Sequence, residues 1–375
     1  MSSTASTPDR PIESIDHASM NIGIVGAGIM GRLLGWQLQT SGYQVTLFDK
    51  DPIDCGTAAA YTAAGMLAPY SELESAEDVV YQLGQRSLVL WPQWIEQLEA
   101  QHYFHQAGSL VVAHPQDTAD LEHFNQTLKH KLPDHQDIAY LNQQQLRELE
   151  PELASHFQSA TSLQGESWVY TKEIMATLAH RLMSAGANWY AETTVSHVEP
   201  GSITTDCGSY QFDCVIDCRG LGAKPDIAKL RGVRGEVIHV QAPEVNLKRM
   251  VRLMHPRYRL YLVPRDNHHY ILGATQIESE DTSGISVRSA LELLSALYAI
   301  HPGFAEARVV ETLTNCRPAL LDNLPAIHKQ DGLIQVNGLY RHGYLLAPAL
   351  AEQVVATLEG SGKTAPDFSE IFHTL

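Results

Sequence analysis

Short apolar runs alternate along the chain with longer stretches that place apolar residues every three to four positions, and together they predict its elements. Asn21–Val25 and Gln44–Phe48 read as short strands around a helix that stops near Ser41, because Gly42 suits the left-handed turn after a helix. Leu88, Trp91, Ile95 and Leu98 share one face of a helix over Ser87–Leu98. Gly108–Ala113 reads as a strand, Asp117–His130 as a polar helix, and Gln143–Leu149 as a short helix that ends before Pro151. Lys172–Ser184 is a further helix, closed by Gly186, and Val195–Val198, Ser202–Thr205 and Gln211–Asp217 follow as strands. The character then changes. Glu236–Gln241, Arg257–Pro264 and His269–Ala274 are β-runs, the last two joined by a hairpin turn at Arg265–His268. Ser286 caps a helix over Val287–Ala299 with Leu291, Leu294 and Tyr298 inward, and His301-Pro302 ends it. Leu333–Val336 is a strand, Asn337–Gly343 a glycine-flanked loop, and Pro348 sits near the start of a helix reaching about Leu358.

Strand–helix–strand segments therefore stand at both ends and in the middle, with antiparallel segments between them. This predicts an α/β fold: a Rossmann-type dinucleotide-binding domain plus a mainly antiparallel β-sheet substrate domain with helices. The first is assigned residues 21–90, 160–225 and 305–375, the second residues 91–159 and 226–304. Residues 1–20, polar and containing Pro8 and Pro11, read as a disordered extension, with Met20 an alternative start. A net charge of −17 argues against nucleic acid and against an anionic membrane surface as partners. No apolar stretch reaches membrane-spanning length, and Met1–Met20 lacks the hydrophobic region of a secretory signal. The five cysteines are odd in number and show no zinc spacing, so free thiols in a reducing cytoplasm and no metal site are expected.

The segment richest in chemistry is Gly26-Ala27-Gly28-Ile29-Met30-Gly31, which fits G-x-G-x-x-G between a strand and a helix. Gly26 permits the tight turn, Gly28 lets a pyrophosphate approach the backbone, and Gly31 lets the helix pack on the strand. Asp49, at the end of the second strand, stands where a carboxylate accepts hydrogen bonds from a ribose diol. These residues leave NAD and FAD open. Asp54–Tyr70 is dense in small residues, which permits close approach to a flat group or tight helix packing alike. Cys214–Ala223, a strand running into a glycine turn, suits a second nucleotide edge or an ordinary turn equally.

Seven segments, in order over roughly residues 21–360, carry a resemblance: GAGIMG (Gly26–Gly31), TAAGML (Thr62–Leu67), DCRGLGA (Asp217–Ala223), RGVRGEV (Arg231–Val237), YLVPR (Tyr261–Arg265), CRPALLDNLP (Cys316–Pro325) and GLYRHGYLLAP (Gly338–Pro348). The chain resembles flavoproteins of the D-amino-acid oxidase superfamily, most closely the glycine oxidase branch of thiamine biosynthesis. The resemblance implies FAD. It places the adenosine half at Gly26, Ala27, Gly28, Ile29, Met30, Gly31, Asp49 and Lys50, and the isoalloxazine near Thr62, Ala63, Ala64, Gly65 and Met66. Val195, Cys218, Gly220, Gly222 and Arg317 are further implied contacts, and His342, Gly343, Tyr344, Leu345 and Leu346 are implied to face the flavin's pyrimidine edge.

On the substrate side it implies that Arg317 pairs with a carboxylate, that the Tyr261 hydroxyl reaches the same group, and that the Arg341 carbonyl meets the amine. Gln276 stands where the glycine oxidases carry a Met, a departure that bears on substrate choice. The implied reaction is oxidative deamination of glycine, sarcosine or a small D-amino acid by hydride transfer to flavin N5. Dioxygen is reduced to hydrogen peroxide, and the imine is handed over to a thiazole synthase or hydrolysed. A homo-oligomer is expected. A dehydrogenase using another electron acceptor and a catalytically silent flavoprotein are the alternatives.

Overall fold

The computed structural model describes residues 20–255, 259–360, 368 and 371–374; all but Met20 of the expected extension, and the start of the run expected from Arg257, lie outside them. Two sheets organise the chain. The first has seven strands in the order 372–374, 326–330, 333–337, 214–217, 21–25, 44–48, 188–190. Its centre is parallel, with Ile24 opposite both Leu47 and Ile216, and Ile216 opposite Ile334. These strands are continuously apolar because both faces are covered. The helices Ile29–Thr40, Asp78–Gln97, Thr171–Ser184 and Gly343–Leu358 pack into one core on one face. A three-stranded antiparallel sheet (195–199, 202–205, 208–211) supplies Val198 and Ile203 to the other.

The second sheet has eight strands in the order 308–319, 231–241, 269–273, 259–265, 250–254, 109–113, 159–163, 138–142. It is antiparallel except where 109–113 runs beside 250–254. A small sheet of 66–67, 167–169 and 104–105 is formed beside the two larger ones.

The fold matches the expected class, and several particulars differ. The helix expected to begin at Ser87 begins at Asp78, because Val79, Val80 and Leu83 extend its buried face by more than two turns. Gln211–Asp217 is two strands rather than one. The Phe212 N–H turns to Gly201 O (2.8 Å), and Asp213 Oδ2 accepts from Asn21 N (2.7 Å), so the chain changes sheets between them. Helix Val287–Ile300 buries Leu293, Ala296, Leu297 and Ile300, whereas Leu291, Leu294 and Tyr298, expected inward, are exposed. Strands 159–163 and 308–319 belong to the eight-stranded sheet, across the boundaries drawn from the sequence, and helix Asp78–Gln97 packs mainly with the seven-stranded one, though Tyr81 and Leu88 face the core of the other.

Candidate active site

A cavity of about 1680 Å³ opens where the ends of strands 21–25, 44–48 and 333–337 face the second sheet, with Val25, Phe48, Asn337, Gly235, Tyr261 and Arg317 among its walls. The ligand crevice of an α/β sheet lies at this end of its strands. The Gly26 turn builds the first end of the cavity. Gly26 holds φ +94°, and a Cβ at Gly31 would overlap the Gly26 carbonyl, so helix Ile29–Thr40 packs against the turn only through glycine. Gly28 differs: a Cβ there would meet nothing nearer than Ala58 Cβ at 3.8 Å, so its backbone faces open space. Asp49 Oδ2 accepts from Ala27 N and Oδ1 from Asp51 N (2.8 Å), which fixes the carboxylate beside the turn.

Arg32 lies below this end, fully enclosed. Its guanidinium donates to Ala27 O (2.7 Å), Met175 O (2.7 Å), Ile53 O (2.8 Å) and Tyr61 Oη (3.0 Å), and stacks over Trp189 at 4.9 Å. Sequence reasoning missed it, because an arginine one residue past a glycine turn carries no signal of burial.

The second end is built by helix Gly343–Leu358, whose first residues line the cavity. No side chain caps this helix or helix Ile29–Thr40, so both offer free N–H groups and a positive dipole end to the same space. His342 Nδ1 is buried without a partner. Between the two ends run Ala58–Met66: the Ala60 carbonyl accepts from Tyr344 Oη (3.2 Å), Ala64 O from Arg265 Nη2 (2.7 Å), and Thr62 Oγ1 from Asn315 Nδ2 (3.2 Å). Burial lowers the Arg265 pKa to about 10.

A cluster of charges lies on the cavity wall beside the second sheet. Arg341 pairs with Glu72 and donates to Ser75 Oγ (3.0 Å), and His342 Nε2 stands 3.0 Å from the same Glu72 oxygen. Burial alone would raise the Glu72 pKa, but Arg341 and His342 outweigh it and hold the carboxyl well below the usual range. Burial raises the Tyr261 pKa, so the phenol keeps its proton. Arg317 Nη1 donates to Thr275 O (3.1 Å) and Arg234 O (3.3 Å), and no carboxylate among the described residues lies within ion-pair distance of its guanidinium. Burial lowers its pKa, the mark of a cation short of counter-charge.

Of the residues singled out in the sequence, Gly26, Gly28, Ile29, Met30, Asp49, Lys50, Thr62, Ala63, Ala64, Gly65, Met66, Val195, Cys218, Gly220, Gly222, Tyr261, Gln276, Arg317, Arg341, His342, Gly343, Tyr344 and Leu345 share the cavity wall. Ala27, Gly31 and Leu346 do not; they are buried beneath it. Glu72 lines the cavity without having been anticipated, since it reaches Arg341 only through the fold.

The sequence pattern of the FAD-dependent oxidoreductase family DAO matches residues 21–357. The chain belongs to that family. Its cofactor is accordingly FAD, and the structure fits it: the Gly28 cradle is open, two uncapped helix starts face one cavity, and Asp49 stands beside the first. The chain is 40% identical over 343 residues to an oxidoreductase of Rhizobium etli named ThiO, for thiamine biosynthesis, covering 90% of this chain and 96% of that one. The glycine oxidase of Geobacillus kaustophilus superposes with a TM-score of 0.82 at 26% identity, covering 94% of this chain and 98% of the other. The bifunctional protein ThiO/ThiG of Synechocystis is 26% identical and matches 88% of this chain with 50% of its own length. Among the described residues no helix is long and apolar enough to cross a membrane, and no group of His, Cys, Asp and Glu could hold a metal.

Proposed function

We propose that this protein oxidises glycine or a related small amino acid, such as sarcosine or a small D-amino acid, at its carbon–nitrogen bond, with dioxygen as the final acceptor and hydrogen peroxide as a product. The observation that carries this reading is the contrast between two arginines. Arg341 is already neutralised by Glu72, while Arg317, on the same cavity, has only main-chain carbonyls. An anion entering the cavity supplies what Arg317 lacks, and the planar guanidinium matches a carboxylate fork. The protonated Tyr261 hydroxyl is available to donate to the same carboxylate. Gln276, exposed at the rim, presents an amide to whatever the substrate carries beyond its α-carbon. The chemistry FAD supplies when bound is the two-electron oxidation itself; the residues here orient the substrate and exclude water. The substrate loses a hydride and a proton to become an imine, which water converts to a 2-oxo acid and ammonia unless it is consumed first. Relatives that carry ThiO and ThiG in one chain support consumption in thiazole synthesis.

The test is anaerobic mixing of the holoenzyme with a panel of amino acids, followed by a peroxide assay in air. Bleaching of the flavin by glycine, sarcosine or D-alanine with stoichiometric peroxide is expected; bleaching without peroxide would point to another electron acceptor. Arg317→Ala should cost about 2–5 kcal/mol of substrate binding, roughly 30- to 5000-fold, with FAD content unchanged. Wild-type efficiency in that variant would remove Arg317 as the carboxylate anchor.

A further inference from the structure

The Arg317 side chain rests on a prepared seat. Strands 231–241 and 308–319 pair antiparallel, with Val233 opposite Arg317 and Gly235 opposite Asn315. The Arg317 guanidinium lies against the Gly235 backbone, so closely that a Cβ on Gly235 would overlap its Cζ and both Nη atoms. Its Nη1 donates to the carbonyl of Thr275 at 3.1 Å. Thr275 is locked in turn by Glu236, which is fully buried: Thr275 Oγ1 donates to Glu236 Oε2 (2.7 Å) and accepts from Glu236 N (2.9 Å). The other Glu236 oxygen takes Arg234 Nη2 (2.8 Å) and Nε (3.1 Å), and Arg234 is anchored on Gly284 O (2.8 Å). Gly235, Thr275 and Arg317 all line the cavity.

We propose that Gly235 and the Glu236–Thr275 bridge are positioning residues that set the depth and tilt of the Arg317 guanidinium, and with them where the substrate's α-carbon is held. This rests on the reading of Arg317 as the carboxylate anchor. The Gly235 backbone is outside the left-handed region, and the nearest obstacle to a Cβ is the far end of a flexible side chain. A methyl group at this position would meet the guanidinium first, and the flexible Arg317 side chain is what must give way. Displaced by even about 1 Å, the anchor would hold the substrate away from its reactive alignment, an error that costs on the order of 100-fold in rate.

The experiment uses the FAD-loaded enzyme as wild type, Gly235→Ala, Arg317→Ala and the double variant. Propionate, a carboxylate without an oxidisable amine, is titrated through its perturbation of the flavin absorbance, alongside KM and kcat for the best amino acid, FAD affinity and Tm. Gly235→Ala should weaken propionate and raise KM at least about tenfold, with FAD affinity and Tm unchanged, and should add nothing to Arg317→Ala in the double variant. Unchanged propionate binding in Gly235→Ala, with Arg317→Ala impaired, overturns the seat while leaving the anchor standing. Additive losses in the double variant also overturn it. Unchanged propionate binding in Arg317→Ala removes the anchor itself and the seat with it. Thr275→Val gives an independent arm: it keeps the carbonyl but cuts the link to Glu236, and a several-fold loss restored by Thr275→Ser is expected.

Discussion

Gly28 and Gly31 sit three residues apart in one motif and do different work. At Gly31 a side chain would strike the protein's own backbone, whereas at Gly28 it would stand in the open cavity. Gly28→Val should therefore leave the fold of the apoprotein intact while removing FAD retention. Flavin fluorescence quenching and an apoprotein melt check this; a lowered apoprotein Tm with normal FAD uptake would contradict it. The placement of both was legible in the sequence because the motif's spacing states it: Gly31 packs against the turn and Gly28 lines the cavity. The position of Arg317 and Tyr261 on the cavity was likewise legible, through the segments CRPALLDNLP and YLVPR that carry the resemblance. Glu72 was not. It sits in Pro69-Tyr70-Ser71-Glu72, a short helix with no motif, and meets Arg341 across 269 positions. Gly235 was quoted only as part of a motif, since its use depends on a side chain from the neighbouring strand.

Helices are where local pattern says least when apolar residues surround the whole element. Val287–Ile300 contains Leu291, Leu293, Leu294, Leu297, Tyr298 and Ile300, so two overlapping stripes fit a period of 3.6, and only the sheet beneath selects Leu293, Ala296, Leu297 and Ile300. The nucleotide helix Ile29–Thr40 poses the reverse case, a charged residue on a buried face. Arg32 joins four segments: the glycine turn at Ala27, the loop at Ile53, the cavity-lining segment at Tyr61, and helix Thr171–Ser184 at Met175. Removing it takes one hydrogen bond from each of three carbonyls; Met175 O keeps its helical partner, whereas Ala27 O and Ile53 O lose a partner at about 1–3 kcal/mol each. Arg32→Met should therefore destabilise the apoprotein by about 2 kcal/mol or more and also weaken FAD binding, because the Ala27 turn and Tyr61 lose their common support. A denaturant titration and an FAD titration measure the two effects. A variant with wild-type values for both would show that the clamp carries no weight.

At the scale of the whole molecule, the packing at the start of strand 109–113 of the eight-stranded sheet is itself titratable. Glu166 is fully buried and receives Ser71 N (2.7 Å) and Ser71 Oγ (2.9 Å) from beside the cavity, and Ser109 Oγ (2.5 Å) from the eight-stranded sheet. Burial pushes its pKa from the ordinary 4.5 up to about 7. The folded state then binds this proton more tightly than the unfolded one, so the contribution is complete below about pH 4.5 and is lost as pH rises through about 7. It amounts to on the order of 3 kcal/mol. Glu166→Gln should remove that dependence, and its Tm should gain on the wild type between about pH 5 and pH 8. His239, which burial pulls down to about 4, works in the opposite sense but is common to both proteins and cancels in the difference. Parallel Tm curves would show that Glu166 is already ionised in the folded protein. The two sheets and their classes were legible from runs and periods, whereas the assignment of strands 159–163 and 308–319 was not, because an apolar run does not state its partner. That assignment has a consequence for how such proteins diverge. The chain enters the seven-stranded sheet four times and the eight-stranded sheet twice, and of the passages between the two, Ala58–Met66 and Cys218–Gly222 border the cavity, as does the Cys316–Pro318 end of strand 308–319. Insertions and replacements in these passages reshape what the protein accepts while every strand keeps its neighbour, so new preferences can arise in the seams of the architecture without disturbing the cloth.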